Sequence, residues 1–208
     1  MTMQVSVGVL SSGVGNIGSV MNMLRYIGAT PVLVTQPSDA SGLSHLILPG
    51  VGSFDAGMTG LRSSGLDECV NDHTTAGRPL LGICLGMQLL LEGSDEGSLP
   101  GLGLLPGRCH SFAGRVGSFR VPQMGWNEVT PTAAAADGPG LPDGGRFYFA
   151  HSYYVPLDEP TVSYGQTVYG VRYSSVIGQG PVVGMQFHPE KSHRYGVSVL
   201  TAFLGWQP

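Results

Sequence analysis

In the run Leu80-Leu81-Gly82-Ile83-Cys84-Leu85-Gly86-Met87-Gln88, a cysteine stands where a buried strand should turn into a helix. Gly82 and Gly86 flank it, two residues to either side. This is the cysteine form of a nucleophile elbow. The turn is tight, needs small neighbours, and lifts the side chain clear of the sheet edge. A thiol at a helix N-terminus is also helped towards the thiolate by the dipole and the free N–H groups there. The same residues could hold a buried structural cysteine, because among 33 glycines a pattern built on glycine is cheap.

A nucleophilic thiolate needs a base, and His188 in Met185-Gln186-Phe187-His188-Pro189-Glu190 is the candidate. Pro189 fixes its own φ and biases His188 towards an extended conformation. Residues i and i+2 of an extended segment point to the same side, so Glu190 is expected beside the imidazole. It would hold one ring nitrogen while the other faces the thiol. Either residue alone reads as a strand-end histidine or a surface glutamate. With an elbow cysteine, the three read as a catalytic triad.

Acyl transfer also needs donors for a developing oxyanion. The N–H of Leu85, just after the nucleophile, is one source. The loop Gly50-Val51-Gly52 is the other, although by itself it would pass for a plain turn. Ligands of open α/β sheets sit outside the carboxyl ends of the strands, where this loop and Cys84 should meet. Cys69 and Cys109 lack such surroundings and are expected to be structural. Three cysteines without a CxxC pair argue against a disulfide framework or a zinc knuckle. No convincing further ligands accompany His188 and Glu190, so no metal is expected.

The elements that must position these groups follow from periodicity. Gln4–Leu10 reads as a strand and Asn16–Tyr26 as a helix, with Asn16 as N-cap and Gly28 as stop. Pro31–Val34 and His45–Leu48 are further strands. Phe54–Ala76 reads as one or two helices broken near Gly65. Pro79–Ile83 is a fourth strand and Leu85–Leu91 the helix after it. Such alternation predicts parallel βαβ units. After Gly97, short alternating runs through Val129 suggest antiparallel structure. Pro131–Gly145 reads as an exposed loop, Phe147–Tyr154 and Val182–His188 as strands, and Tyr195–Leu204 as a closing helix.

The 208 residues suggest a single domain, 1–208. Hydrophobic residues make up 42% and charged residues 12%, which excludes charge-driven disorder. A net charge of −4 argues against a nucleic-acid surface and against a polybasic membrane anchor. No basic, apolar leader opens the sequence and no apolar run reaches membrane-spanning length, so a cytoplasmic protein is expected.

The segments LILPGVGSFDAGM, PLLGICLGMQLL, VPQMGWNEV, FYFAHSYYV and GMQFHPEKS occur in this order. They resemble class I (triad-type) glutamine amidotransferases, and among them the glutaminase subunits of imidazole glycerol phosphate synthase. The resemblance runs from Val5 to Leu204. It implies a flavodoxin-like α/β fold with a mixed, mostly parallel central sheet flanked by helices and an additional antiparallel strand region. It implies Cys84 as nucleophile, His188 as acid/base and Glu190 as its orienter. Gly52, Gln88, Glu96 and Ser152 would surround L-glutamine, near Met124–Trp126. Gly50–Gly52 would be an oxyanion loop that rearranges on activation. No cofactor is implied. Glutamine would be hydrolysed to glutamate and ammonia, and the ammonia passed to a (βα)₈-barrel cyclase of histidine biosynthesis. That enzyme makes imidazole glycerol phosphate and an aminoimidazole carboxamide ribotide. A chain of this length has no room for such a barrel, so a separate subunit is implied, with Lys191, Gln123 and Asn16 towards it.

Two places depart from the family pattern. Ser11-Ser12-Gly13 stands where Asp-Tyr-Gly is usual, and Gln123 where a histidine is usual. Asn16-Ile17-Gly18-Ser19 and HPEKSHRY resemble a paralogous branch that feeds ammonia to a surface-sugar (lipopolysaccharide) amidotransferase, which is the alternative partner. Two other classes remain open: another elbow-cysteine hydrolase or peptidase, and a catalytically silent binding subunit.

Overall fold

A computed structural model describes residues 5–11, 13 and 15–208. Gln4 and Ser12 lie outside the described residues. In chain order the elements are β1 (Ser6–Leu10), α1 (Ile17–Tyr26), β2 (Thr30–Val34), β3 (His45–Gly50), α2 (Phe54–Ser63), α3 (Leu66–Thr75), β4 (Leu80–Cys84) and α4 (Leu85–Leu89). Then come β5 (Gly93–Ser94), β6 (Arg108–Ser111), β7 (Gln123–Pro131), β8 (Gly145–His151), β9 (Tyr153–Pro156), β10 (Ser163–Tyr169), β11 (Val171–Gln179), β12 (Val182–Met185) and α5 (His193–Gly205).

The main sheet has the order β2-β1-β3-β4-β12-β11-β10-β7-β8. The pairs from β2 to β12 are parallel. From β12 outward the pairs are antiparallel. The inner parallel strands β1, β3, β4 and β12 are apolar on both faces, as strands covered twice must be, while the edge strand β2 is partly exposed. Leu46 and Leu48 of β3 enter one core with Phe54, Met58 and Leu61 of α2 and Leu66 and Val70 of α3. Ile47 points the other way, with Val20 and Leu24 of α1 and Val199, Leu200 and Phe203 of α5. Period-2 alternation thus divides one strand between two helical layers.

The expected break near Gly65 separates α2 from α3, and Gly65 takes φ 69° there. Five expectations change. Phe147–Tyr154 is two strands, β8 and β9, interrupted at Ser152. The helix after Cys84 has five residues. Ordered strand pairing in β12 stops at Met185, after which His188 makes a single bridge to Tyr148. The antiparallel pair β10–β11, absent from the periodicity reading, carries the sheet from β12 to β7. Within Pro131–Gly145, Ala133–Asp137 forms a 3₁₀ turn with no buried residue, but Ala134, Ala135 and Leu141 pack on the core. No helix of the described residues is long and apolar enough to cross a membrane.

Candidate active site

β4 and α4 meet with no intervening residue. Cys84 sits at the join with φ 54° and ψ −110°, a left-handed conformation that a non-glycine residue adopts only when its surroundings enforce it. The enforcement comes from backbone packing. A Cβ on Gly82 would lie 2.7 Å from the Gly86 carbonyl oxygen and from the Met87 amide nitrogen. A Cβ on Gly86 would lie 2.8 Å from the Leu48 carbonyl carbon and closer still to its oxygen. The two glycines let α4 fold back onto β3 and β4, and that fold-back makes the elbow.

His188 and Glu190 come together as expected, by a different route. His188 is extended at φ −99°, but Pro189–Lys191 forms a 3₁₀ turn. Pro189 at the first position of that turn carries Glu190 round beneath the ring. Nδ1 of His188 lies 2.9 Å from Glu190 Oε1, and the two side chains are 3% and 2% exposed. The His188 backbone is pinned as well. Its N–H donates to the Tyr148 carbonyl at 2.8 Å, and its own carbonyl accepts from Ser192 Oγ at 2.6 Å. Burial disfavours a charge on His188, yet hydrogen bonds with Cys84 and Glu190, and the charges of both, outweigh it. Its pKa is pushed up to about 10. With Nδ1 on the carboxylate, Nε2 is the nitrogen left for the thiol.

A cavity of about 240 Å³ opens at Cys84. Gly52, Gln88, Glu96 and Ser152 all line it, as do Val51 and Leu85. Gly50 lies directly across from Cys84 in the β3–β4 register, and Gly52 takes φ 112°. The loop and the elbow therefore meet at the carboxyl ends of adjacent strands. Glu96 Oε2 accepts the Phe54 N–H at 2.9 Å, at the start of α2. Burial raises its pKa, against the pull of that hydrogen bond.

Of the three residues expected towards a partner, Lys191 is exposed, with its Nζ 5.6 Å from the centroid of the Tyr148 ring. Asn16 is half-buried at the start of α1, and its side chain makes no capping bond. Gln123 corrects the expectation. It is 2% exposed and faces the core, while its neighbours Met124 and Trp126 are 66% and 42% exposed. Strand alternation in β7 turns Gln123 inward and Met124 outward. Cys69 is half-buried and Cys109 buried, both as free thiols.

Gln186 was not singled out by the sequence reading. It is fully buried, its Nε2 donates to Cys84 Sγ at 3.8 Å, and its Oε1 accepts from Gln88 Nε2 at 3.1 Å. It thereby links the cavity wall to the sulfur. Its place two residues before His188 was the available signal, since i and i+2 share a side of a strand. Among the described residues, no group of three or more His, Cys, Asp or Glu side chains could hold a metal ion. The arrangement suits attack on a carbonyl carbon: a strained sulfur that lines a small cavity, an acid/base with a buried carboxylate behind it, and the Val51–Gly52 loop and Leu85 in the wall of the same cavity.

A sheet of this order with a cysteine elbow at the end of β4 defines a class. The chain belongs to the class-I glutamine amidotransferase family, whose model matches residues 9–204. Solved structures agree on the fold. The PurLQS structure from Thermotoga maritima superposes with a TM-score of 0.74 at 21% identity, covering 98% of this chain and 99% of that one. A crystal structure described as a glutamine amidotransferase gives 0.70 at 22% identity, covering 94% and 98%. Among sequences, imidazole glycerol phosphate synthase subunit HisH of Symbiobacterium thermophilum is 45% identical, over 92% of this chain and 90% of that protein. The HisH of Nitrosomonas europaea is 36% identical over 98% and 99%. Within its class, the chain belongs to this HisH family.

Proposed function

We propose that the chain is the glutaminase subunit of an imidazole glycerol phosphate synthase. It hydrolyses L-glutamine to glutamate and ammonia. The observation that carries the reading is the buried His188–Glu190 pair at 2.9 Å beside an elbow cysteine that opens on the cavity. The HisH names of the full-length relatives favour the histidine pathway over the surface-sugar alternative.

Cys84 Sγ, as thiolate, attacks the side-chain amide carbon of glutamine. Charge on the amide oxygen is received by the Leu85 N–H and by amides of the Gly50–Gly52 loop. His188 donates its Nε2 proton to the departing nitrogen, and ammonia leaves a glutamyl thioester on Cys84. Neutral His188 then takes a proton from water, which attacks the thioester. The C–S bond breaks, glutamate is released and the thiolate returns. Glu190 holds Nδ1 protonated throughout and stabilises the imidazolium. Gln88, Glu96, Ser152 and Gly52 hold the substrate. Glu96 keeps one carboxylate oxygen on the Phe54 amide and, in this reading, takes the α-ammonium group with the other.

Ammonia is protonated in water and stops being a nucleophile, so it must reach its acceptor directly. The acceptor is a cyclase subunit of (βα)₈-barrel type, docked on the face that carries Lys191 and Asn16. The whole of 1–208 acts as one glutaminase domain, in the cytoplasm. An assay of glutamine hydrolysis, alone and with the cyclase from the same organism plus its ribulosyl-linked substrate, tests the reading. Strong stimulation in a one-to-one complex, lost in Cys84→Ala, is expected. Peptide cleavage without glutamine turnover refutes the class. Glutamine turnover without complex or stimulation moves the partner to the sugar amidotransferase.

A further inference from the structure

Behind the cavity wall, three buried polar side chains form a chain that the triad does not use. Gln123 at the start of β7 stands opposite His151 at the end of β8, and Tyr173 comes in from β11. Tyr173 Oη lies 3.0 Å from Gln123 Oε1 and 3.3 Å from His151 Nε2. His151 Nδ1 lies 2.7 Å from the Tyr153 carbonyl oxygen. Gln123 Nε2 has no partner among the described residues.

Proton bookkeeping decides the direction of this chain. A carbonyl only accepts, so His151 Nδ1 carries the hydrogen. Burial lowers the His151 pKa to about 4, so at neutral pH the ring is uncharged and Nε2 is a bare acceptor. Tyr173 is the donor within reach of it, and Tyr173 has one proton. With Gln123 Oε1 on Tyr173, two acceptors compete for that proton and a buried NH₂ is stranded. A half-turn of the amide resolves both faults, and the hydrogen-bond network is what fixes such an orientation. Gln123 Nε2 then donates to Tyr173 Oη, and the Tyr173 O–H goes to His151 Nε2. The unpartnered atom becomes a carbonyl oxygen, which is tolerated better than an orphaned N–H.

We propose that Gln123 and Tyr173 are positioning residues for glutamine binding, through a one-way chain Gln123 → Tyr173 → His151 → Tyr153 carbonyl. His151, Ser152 and Tyr153 line the cavity. The Tyr153 carbonyl also accepts from Gln88 Nε2 at 3.4 Å, so the chain ties the 150–153 wall to Gln88. The chain acts on the cavity wall and makes no hydrogen bond to the His188–Glu190 pair, and with His151 uncharged it adds no charge beside His188. Its loss therefore shows in substrate affinity before turnover. The role in binding rests on the glutaminase reading, whereas the proton arrangement does not.

Three variants, assayed with the cyclase partner, test the chain. Tyr173→Phe removes the relay hydroxyl. Gln123→Glu has the same shape but only accepts, so it captures the Tyr173 proton. Gln123→His restores a donor. The first two are expected to raise KM for glutamine about tenfold, the worth of one net hydrogen bond, with kcat within about twofold. Gln123→His should return KM towards the starting value. Long-range ¹H–¹⁵N spectra of His151 should show a single Nδ1–H tautomer in the unmodified protein and in Gln123→His, and a mixed or charged ring in the other two. An Nε2–H tautomer in the unmodified protein overturns the chain. So does an unchanged KM in both loss variants, or an equal loss in all three. A protein with no glutaminase activity overturns the functional reading instead, while the tautomer still decides the direction of the chain.

Discussion

Gly82→Ala separates the fold-back account of the elbow from ordinary propensity, because the two predict opposite signs. Glycine weakens a strand interior, so on propensity alone alanine should stabilise by roughly 0.5–1 kcal/mol. The packing says otherwise. The new Cβ would lie 2.7 Å from both Gly86 O and Met87 N, against 3.4 Å for ordinary contact. Both neighbours are backbone atoms, so no side-chain rotation relieves the overlap. Helix α4 must retreat from β4 by about 0.7 Å, the difference between these two distances. Overpacking of this kind costs about 1–3 kcal/mol. The retreat also moves Cys84, the last residue of the strand. Since a displacement of about 1 Å can cost about 10²-fold in rate, kcat/KM should fall by some tens of fold. The assay is urea unfolding alongside glutamine hydrolysis with the partner present. Gly18→Ala, in α1, where a Cβ meets nothing within 4 Å, is the control and should gain roughly 0.5–1 kcal/mol. Equal midpoints and equal kcat/KM for Gly82→Ala and the unmodified protein would refute the packing argument.

Glu190→Gln keeps the shape but presents an amide to His188. It should lower the His188 pKa from about 10 and cut kcat by about 10²–10⁴-fold, readable by NMR titration and steady-state kinetics. Gln186→Met leaves the buried Gln88 amide only the longer bond to the Tyr153 carbonyl, at 3.4 Å, and leaves Cys84 without its N–H. It should lower kcat/KM about tenfold and slow alkylation of Cys84 by a glutamine-analogue electrophile. Stability should fall at both ends of the pH range. Burial holds His73 and His151 at about 4, below 6.5, so the unfolded chain binds more protons between those values. Stability present above pH 6.5 is lost on acidification, by up to about 1.4 kcal/mol per pH unit for each histidine. His73→Gln should flatten that slope in urea unfolding across pH. His188 has the opposite sign: its contribution is complete below pH 6.5 and is lost as pH rises through about 10, so Cys84→Ala, which removes a raising group, should flatten the alkaline limb.

The parallel half of the sheet was legible because β1, β3 and β4 are apolar on both faces and are punctuated by glycine and proline. The elbow was legible because a backbone fold-back demands small residues on each side of the cysteine and because the His188-Pro189-Glu190 set accompanies it. The β10–β11 pair was not, and the reason is chemical. Ser174 and Ser175 are buried mid-strand, and Thr167 Oγ1 donates to Ser175 Oγ at 2.7 Å and packs in the same interior. The Thr167 and Ser175 hydroxyls satisfy each other inside the protein, so burial there leaves no hydrophobic trace in the sequence. Gln186 was hidden in the same way. Its amide is satisfied by another amide and a sulfur, partners that the order of residues does not reveal.

β7 carries this furthest, because over its first four residues its polarity is inverted on both faces. A reader of alternation alone would bury Met124 and Trp126 and expose Gln123. The structure does the reverse, and each face has a reason. Inward, Gln123 meets a tyrosine hydroxyl and a neutral histidine that need a polar neighbour. Outward, Met124 lines the cavity at Cys84, and Trp126 stacks on His193 with ring centroids 5.4 Å apart and planes within 3°. An apolar strand face held at the surface beside a catalytic cavity costs solvation unless something covers it. In the glutaminase reading the substrate covers Met124. A strand that hides its glutamine and shows its tryptophan is therefore shaped by the site it borders more than by the core it belongs to.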